Sequence, residues 1–342
     1  MKALVLEEYN KLVYKEVPDP EITENEVLVK VKACGICGSD VMGIDGSTGR
    51  RQPPLIMGHE ASGIIEATGR NVKKWKKGDR VTFDSTVYQL NDWFTLEGKY
   101  NLSDNREVLG VSPGSYRRHG AFAEYIAIPE HILYGIPGSV TFEQAAMAEA
   151  AAVALHSINI CEMRTGDNCA ITGAGVIGLI LIKLLRISGA DRIIALDIAK
   201  DRIEPAVKAG ADHAFIPDNS IAEKIRSLLK GRGADVSFDA AGKAGSVGLA
   251  IDLVRKGGKV VIIGNSSPVV DFPLQKVVTG EIKVLGSCAI RGEYAVVLEL
   301  LQSGRLSVDD QISAIVPLSE GAIWFKKLYG REGNLNKVIL IP

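Results

Sequence analysis

Cysteine is scarce in this chain, and what there is cannot frame it with disulfides. Five residues, Cys34, Cys37, Cys161, Cys169 and Cys288, are spread over 342 positions. An odd number so dispersed makes a poor disulfide framework; in a reducing compartment such thiols matter by binding metal or by doing chemistry. An excess of charge is missing as well. The chain carries 40 basic and 41 acidic residues, a formal charge of −1, which leaves no electrostatic footprint for nucleic acid or an anionic membrane. Its one basic run, Lys73 to Lys77, leads into Gly-Asp-Arg and reads as a solvated turn. Long hydrophobic runs are also lacking. The most apolar stretch, Cys169 to Leu185, is broken by "TGAGVIG" and by Lys183, short of a membrane span. The opening "MKALVLEEYNKLVY" has neither the apolar core nor the small-residue cleavage site of a signal peptide, so a cytoplasmic location is expected. There is no internal repeat, low-complexity segment or long linker.

What is present is an ordinary globular composition, 46% apolar and 24% charged, on a chain long enough for two domains. Up to about residue 135, short β-rich segments such as "EVLVKVKAC", "ASGIIEATG" and "FAEYIAIP" alternate with Gly, Pro and Asp punctuation. From about residue 140 the texture changes to Ala-rich helix and then to a strand-then-helix rhythm. "NCAITGAG", "RIIALDI" and "VSFDAAG" each precede a helical segment, and "KVVIIGN" follows. Such alternation implies a parallel sheet covered by helices, a doubly wound α/β domain. The last fifty or so residues hold the helix "EYAVVLELLQSG" and short strands, a tail expected to return to the first domain. The two halves are expected to pack closely, with a cleft between them.

"ITGAGVIG" supplies Gly173, Gly175 and Gly178 directly after a strand, with Val176 and Ile177 opening a helix. The first glycine permits a tight turn, the second lets backbone approach a pyrophosphate, and the third lets helix and strand pack closely. A helix N-terminus there offers unpaired N–H groups to the phosphates. Asp197 ends the next strand about twenty residues on, where a carboxylate accepts both adenosine ribose hydroxyls and repels a 2′-phosphate. NAD is therefore expected over NADP. Lys200 and Arg202 follow closely, and Arg202 is expected along the ribose.

"KACGICGSDVMGI" holds Cys34 and Cys37 in a Cys-x-x-Cys frame that fits a redox pair, half of a structural zinc site, or neither. The other candidate zinc ligands are His59 and Glu60 in "MGHEASG" and Glu149 in "AAMAEAAAVALH". A thiolate, an imidazole and a carboxylate leave a position for water or substrate, the open arrangement of a catalytic zinc. Of the other histidines, His156 lies two turns beyond Glu149 and could face the cleft.

With "CGICGSD", "GHEASGIIEATGRNV", "GDRV", "GAFAEY", "GAGVIG" and the strand ending in Asp197 in this order, the sequence resembles the zinc-containing medium-chain dehydrogenases, the alcohol and polyol dehydrogenase family. "CGICGSDV", "GHEASG" and "KYNLS" are most similar to the sorbitol dehydrogenase branch. The resemblance implies a GroES-like catalytic domain of residues 1–149 and 289–342, and a Rossmann dinucleotide-binding domain of residues 150–288. It makes Cys37 and His59 zinc ligands and Cys34 a buried neighbour, so the pair is neither a redox couple nor a zinc knuckle. Glu60 and Glu149 bind zinc directly or through water, three protein ligands at a time. Ser39 accepts the substrate proton, Asp40 orients the ligand histidine, and Glu149 orders the zinc water or a neighbouring substrate hydroxyl. Ala241, Gly264 and Asn265 are expected along the cofactor, and Lys337 near its phosphates.

Two departures stand out. The lobe after "GDRV", which in many members holds a structural zinc on four cysteines, has no cysteine here, so packing of Tyr88, Trp93, Phe94 and Tyr100 is expected to hold it. The position two residues after Asp40, often a proton-relaying histidine, is Met42, and a water path from Ser39 is expected instead. The resemblance implies hydride transfer between NAD and a secondary alcohol of a polyol, sugar or sugar acid, giving a ketone. Threonine-type, butanediol-type and sugar-phosphate substrates are alternatives. Arg117 and Arg118 are candidates for an anionic substrate or for a solvated loop. A homodimer or homotetramer is expected, with the apolar segments "KVVIIGN" and "EIKVLGS" as pairing edges.

Overall fold

The computed structural model describes residues 1–111 and 117–342, and its contacts divide the chain into two compact units. The first comprises Met1–Ala152 and Ala289–Pro342, the second Val153–Cys288. No helix among the described residues is long and apolar enough to cross a membrane.

The first unit is built on a seven-stranded sheet. Along it run Leu133–Gly135, Arg80–Phe83, Glu60–Thr68, Glu26–Gly35, Lys337–Ile341 and Ile312–Pro317, and Tyr125–Pro129 also pairs with Glu26–Gly35. Glu26–Gly35 is the hub. Its apolar residues Val27, Val29, Val31, Ala33 and Cys34 are buried, as alternation predicts until the strand's end, where burial becomes continuous. The antiparallel pairing sets Gly35 opposite Glu60, and Ile339 of the last strand pairs with Gly35 on the other side. The chain thus brings the segment following residue 35 and those preceding residues 60 and 337 to one end of the sheet. A large apolar cluster underlies it, with Phe122 edge-on to Phe325 at 5.7 Å. Thr141 and Gln144 form a reciprocal cap on the short helix Phe142–Ala146, satisfying two of its otherwise orphan N–H groups.

The second unit is a six-stranded parallel sheet. Its spatial order is His213–Phe215, Ile193–Leu196, Cys169–Thr172, Ala234–Asp239, Val254–Ile262 and Lys283–Gly286. Numbered along the chain this is 3-2-1-4-5-6, the doubly wound order, whose ligand crevice lies where the order reverses, beyond the carboxyl ends of the first and fourth strands. Separate apolar clusters, one around Ala170, Ile194 and Ile225 and one around Ile251, Val260 and Ile282, bury the sheet. Burial on both faces explains why these strands read as continuous apolar runs. "KVVIIGN" falls in Val254–Ile262, an interior strand with neighbours on both sides, and so is not the edge the sequence suggested. The edges are His213–Phe215 and Lys283–Gly286, the latter within "EIKVLGS", which the sequence also suggested.

The lobe is held in part by the aromatic packing expected of it. Tyr88 stacks on Tyr100 at 4.4 Å, and the Tyr100 hydroxyl donates to Asp84 Oδ2 at 3.1 Å while accepting from Gly292 N–H at 2.7 Å. Trp93 is 62% exposed and rests edge-on against Phe94, so it does not pin the lobe.

Candidate active site

Strand Glu26–Gly35 runs out into Ile36 and Cys37, and Cys37 takes the N-cap position of the short helix Gly38–Gly43. The carbonyl of Cys37 accepts from the N–H groups of Asp40 and Val41, which fixes the thiol's backbone. His59 and Glu60 arrive where the neighbouring strand Glu60–Thr68 begins. Gly58, just before them, has φ +95 and lies so close to the Phe122 backbone and the Cys34 sulfur that a Cβ would clash with both, so only glycine permits the turn.

One ligand atom each from Cys37, His59 and Glu60 lie within 4.8 Å of one another. Glu149, at the start of helix Ala148–Ile160, falls outside that tight trio but is buried within its field. Burial pushes its carboxyl well above the usual range; His59 opposes that rise and Glu60 adds to it. Cys34 is a fully buried free thiol, held protonated by burial and then by the charges of Asp40 and Glu60.

Asp40 is fully buried and held well below the carboxylate range, because the charges of His59 and Arg51 more than offset the penalty of burial. His59 Nδ1 stands 3.4 Å from Asp40 Oδ1 without closing a hydrogen bond. Burial alone would lower the His59 pKa, yet Asp40 and Cys37 hold it well above its ordinary value. The same field attracts a metal cation. A soft thiolate, an imidazole with a carboxylate behind its second nitrogen, and nearby carboxylates are the donor set of a zinc site, so the residues fit the metal. Ser39 Oγ donates to Cys37 Sγ at 3.2 Å. Met42 is half-exposed.

Lys337, which the resemblance places near the cofactor's phosphates, has its ammonium buried in the first unit, 2.5 Å from Glu60 Oε2. A carboxylate in a buried setting draws the nearest cation, and this one is supplied by the strand beside Gly35. Arg118 likewise pairs with Glu26 and Glu107 instead of facing solvent, while the side chain of Arg117 lies outside the described residues. His156 is buried.

In the second unit the glycine turn occupies the switch point. Gly173 has φ +100, Gly175 caps helix Val176–Ile187, and a Cβ at Gly178 would stand 2.0 Å from the Gly173 carbonyl oxygen. Asp197 Oδ2 accepts from Ala174 N–H at 2.8 Å and Oδ1 from Ala199 N–H at 2.9 Å, so the acid braces the turn it flanks. Arg202 Nη1 is 3.5 Å from Asp197 Oδ2. Ala241 backs the turn, 3.2 Å from where a Gly173 Cβ would be, and Gly264, followed by Asn265, packs against Gly242. Two organising residues escaped the sequence reading. Asp239, fully buried, accepts from Thr172 Oγ1, Ala241 N–H and Gly242 N–H, and its only sequence signal is its place at the end of "VSFD". Arg51, in "GRRQPP", gave no signal beyond its charge.

Two family models match the chain in order, the alcohol dehydrogenase GroES-like domain over residues 23–138 and the zinc-binding dehydrogenase over residues 176–303. Sorbitol dehydrogenase of Bacillus subtilis is 33% identical over 348 aligned positions, covering 100% of this chain and 97% of that protein. This chain belongs to the zinc-binding alcohol dehydrogenase family. D-xylulose reductase A of Aspergillus oryzae is similar to this dehydrogenase at 32% identity, over 97% of this chain and 94% of that one. Among solved structures, galactitol-1-phosphate dehydrogenase of Escherichia coli superposes on it with a TM-score of 0.92 at 27% identity, with full coverage of both chains.

Proposed function

We propose that this dehydrogenase oxidises a secondary alcohol of a polyol or related sugar alcohol to the ketone, reversibly, with NAD as hydride acceptor and one catalytic zinc ion per chain. The convergence of Cys37, His59 and Glu60 on one point carries this reading. The similarity to sorbitol dehydrogenase and D-xylulose reductase supports the substrate class.

Zinc bound there supplies Lewis acidity that makes a substrate hydroxyl easier to deprotonate. Cys37 and His59 would hold it, with a carboxylate of Glu60 or Glu149 as third ligand, three protein ligands at a time. Asp40 keeps His59 turned toward the metal from behind. With substrate bound, Ser39 Oγ would accept the substrate's hydroxyl proton while releasing its own, which rests on the Cys37 sulfur in this structure, to water, because Met42 offers no imidazole to relay it. Glu149, when it is not the third ligand, would hold a neighbouring hydroxyl of the substrate. On the cofactor side, Gly173, Gly175 and Gly178 leave room for the pyrophosphate at the head of the helix, and the Val176 and Ile177 N–H groups face it. Asp197 accepts the ribose hydroxyls and repels a 2′-phosphate, with Arg202 alongside. Arg118 is already engaged by two carboxylates, which favours a neutral polyol over an anionic sugar acid or sugar phosphate. The edge strand Lys283–Gly286 is the surface through which we read a homodimer or homotetramer.

The test is NADH production on a panel of polyols, sugar acids and sugar phosphates, with NAD and NADP in parallel and chelator-treated enzyme as control. Chelator-sensitive turnover of neutral polyols with NAD is expected. Activity that survives metal removal would overturn the mechanism, and turnover confined to phosphorylated sugars would overturn the substrate class.

A further inference from the structure

Arg51 is among the largest side chains this protein buries completely, 1% exposed, and no step proposed above uses it. Its guanidinium forks. Nη2 lies 2.7 Å from Asp40 Oδ1 and 3.2 Å from Ser39 Oγ, and Nε lies 3.2 Å from the same Asp40 oxygen. Each branch ends on a different metal-ligand candidate. Through Ser39 it reaches the Cys37 sulfur, because Ser39 Oγ donates to Sγ at 3.2 Å. Through Asp40 it reaches His59 Nδ1 at 3.4 Å.

We propose that Arg51 is a positioning residue for the metal centre, which fixes the orientation of Cys37 through Ser39 and of His59 through Asp40. The inference rests on the reading of Cys37 and His59 as zinc ligands. An arginine has donors only, so the direction of the Ser39 branch is set: the hydroxyl oxygen accepts from the guanidinium, and its single proton is left to point at the sulfur. A thiolate that accepts a hydrogen bond gives less electron density to a metal, so the branch tunes the ligand as well as placing it. The Asp40 branch holds that carboxylate stationary behind the imidazole. A lysine is a point charge on a flexible stem and lacks the second contact, from Nε to Asp40, that fixes the planar fork in one orientation.

The fold makes room for this side chain. A Cβ at Gly43, the last residue of the helix that Cys37 caps, would stand 2.6 Å from Arg51 Cγ. Gly43 thus gives a way to shift Arg51 without removing its charge.

Metal-stripped full-length enzyme is titrated with Co²⁺ and with Zn²⁺, comparing wild type, Arg51→Gln, Arg51→Lys and Gly43→Ala, with circular dichroism as the check on folding. Wild type is expected to bind one Co²⁺ with a sulfur-to-cobalt charge-transfer band. Arg51→Gln is expected to weaken binding of both ions about 10- to 100-fold, the usual effect of losing a partner of a metal ligand, and to move the charge-transfer band. Arg51→Lys recovers part of the affinity, and Gly43→Ala moves the band in the same direction as Arg51→Gln. Should Arg51→Gln fail to fold, Gly43→Ala decides alone. Folded variants with wild-type affinity and band would overturn the proposal and leave Arg51 a structural ion pair. A wild type that binds no Co²⁺ through sulfur would instead remove the metal reading and this inference with it.

Discussion

Two buried carboxylates at the end of the first unit's main sheet are each met by one buried cation, Asp40 by Arg51 and Glu60 by Lys337. Pairing of this kind is costly to break, because removing one partner leaves the other's charge in a medium that cannot solvate it; the penalty is about 3–5 kcal/mol. For Glu60, which shares its point of convergence with Cys37 and His59, a second cation is available when the metal is bound. Lys337→Gln is therefore expected to lower the melting temperature of the metal-free enzyme markedly and that of the zinc-loaded enzyme much less. Scanning calorimetry with and without zinc measures the difference. An unchanged melting temperature combined with weaker NADH binding would make the cofactor's phosphates the main partner of Lys337, as the resemblance implies. That role was inferred from resemblance, and nothing local in "NLNKVIL" reveals that its lysine comes to rest against a carboxylate 277 residues away. Arg51 is hidden for a related reason: one arginine in a polar loop has no periodicity, and only the folded chain turns it inward.

At the scale of elements the sequence is far more legible. Parallel strands buried on both faces and helices between them impose a rhythm that short apolar runs and glycine punctuation preserve, so the doubly wound architecture is readable from residue 169 onward. His213–Phe215 leaves no such trace, since three half-buried residues carry no pattern, and the identity of the edge strand depends on spatial order that composition does not encode. "KVVIIGN" is apolar because it is interior, not because it is a pairing edge. The glycine turn is the element where pattern and geometry meet most directly. A methyl group on Gly178 would collide with the Gly173 carbonyl at 2.0 Å, and both partners are backbone, so the helix has to move away from the strand. Overpacking of this kind destabilises by about 1–3 kcal/mol. Gly178→Ala should lower the melting temperature and weaken NADH binding by about tenfold or more, one factor of ten per 1.4 kcal/mol. Zinc content should stay at one per chain, because the ligands belong to the other unit. Calorimetric titration with NADH and metal analysis of the same preparation check both halves, and loss of zinc together with NADH affinity would show that the two sites are coupled.

For the molecule as a whole, the lobe that lacks a cysteine framework gives stability a pH dependence. Asp84 anchors it, accepting from Thr86 N–H at 2.9 Å and from the Tyr100 hydroxyl, and it is 1% exposed. Burial raises its pKa from 3.8 to about 6, those hydrogen bonds oppose the rise, and the charge of Glu293 adds to it. A carboxyl whose folded pKa stands above its unfolded one binds its proton more tightly in the native state. Its contribution to stability is complete below the unfolded value of 3.8 and is lost as pH rises through about 6. At 1.36 kcal/mol per unit, the loss by pH 8 is roughly 2 to 3 kcal/mol. Asn has nearly the same shape, keeps an acceptor for Thr86, and carries no charge to desolvate. Asp84→Asn should therefore melt several degrees above wild type at pH 8, using about 2–4 °C per kcal/mol for a large domain, and at the same temperature as wild type near pH 4. Thermal melts across pH 4 to 8 on the zinc-loaded protein give the comparison. A constant offset at every pH would mean that Asp84 does not change its protonation on folding, and that the tyrosine stack alone holds the lobe.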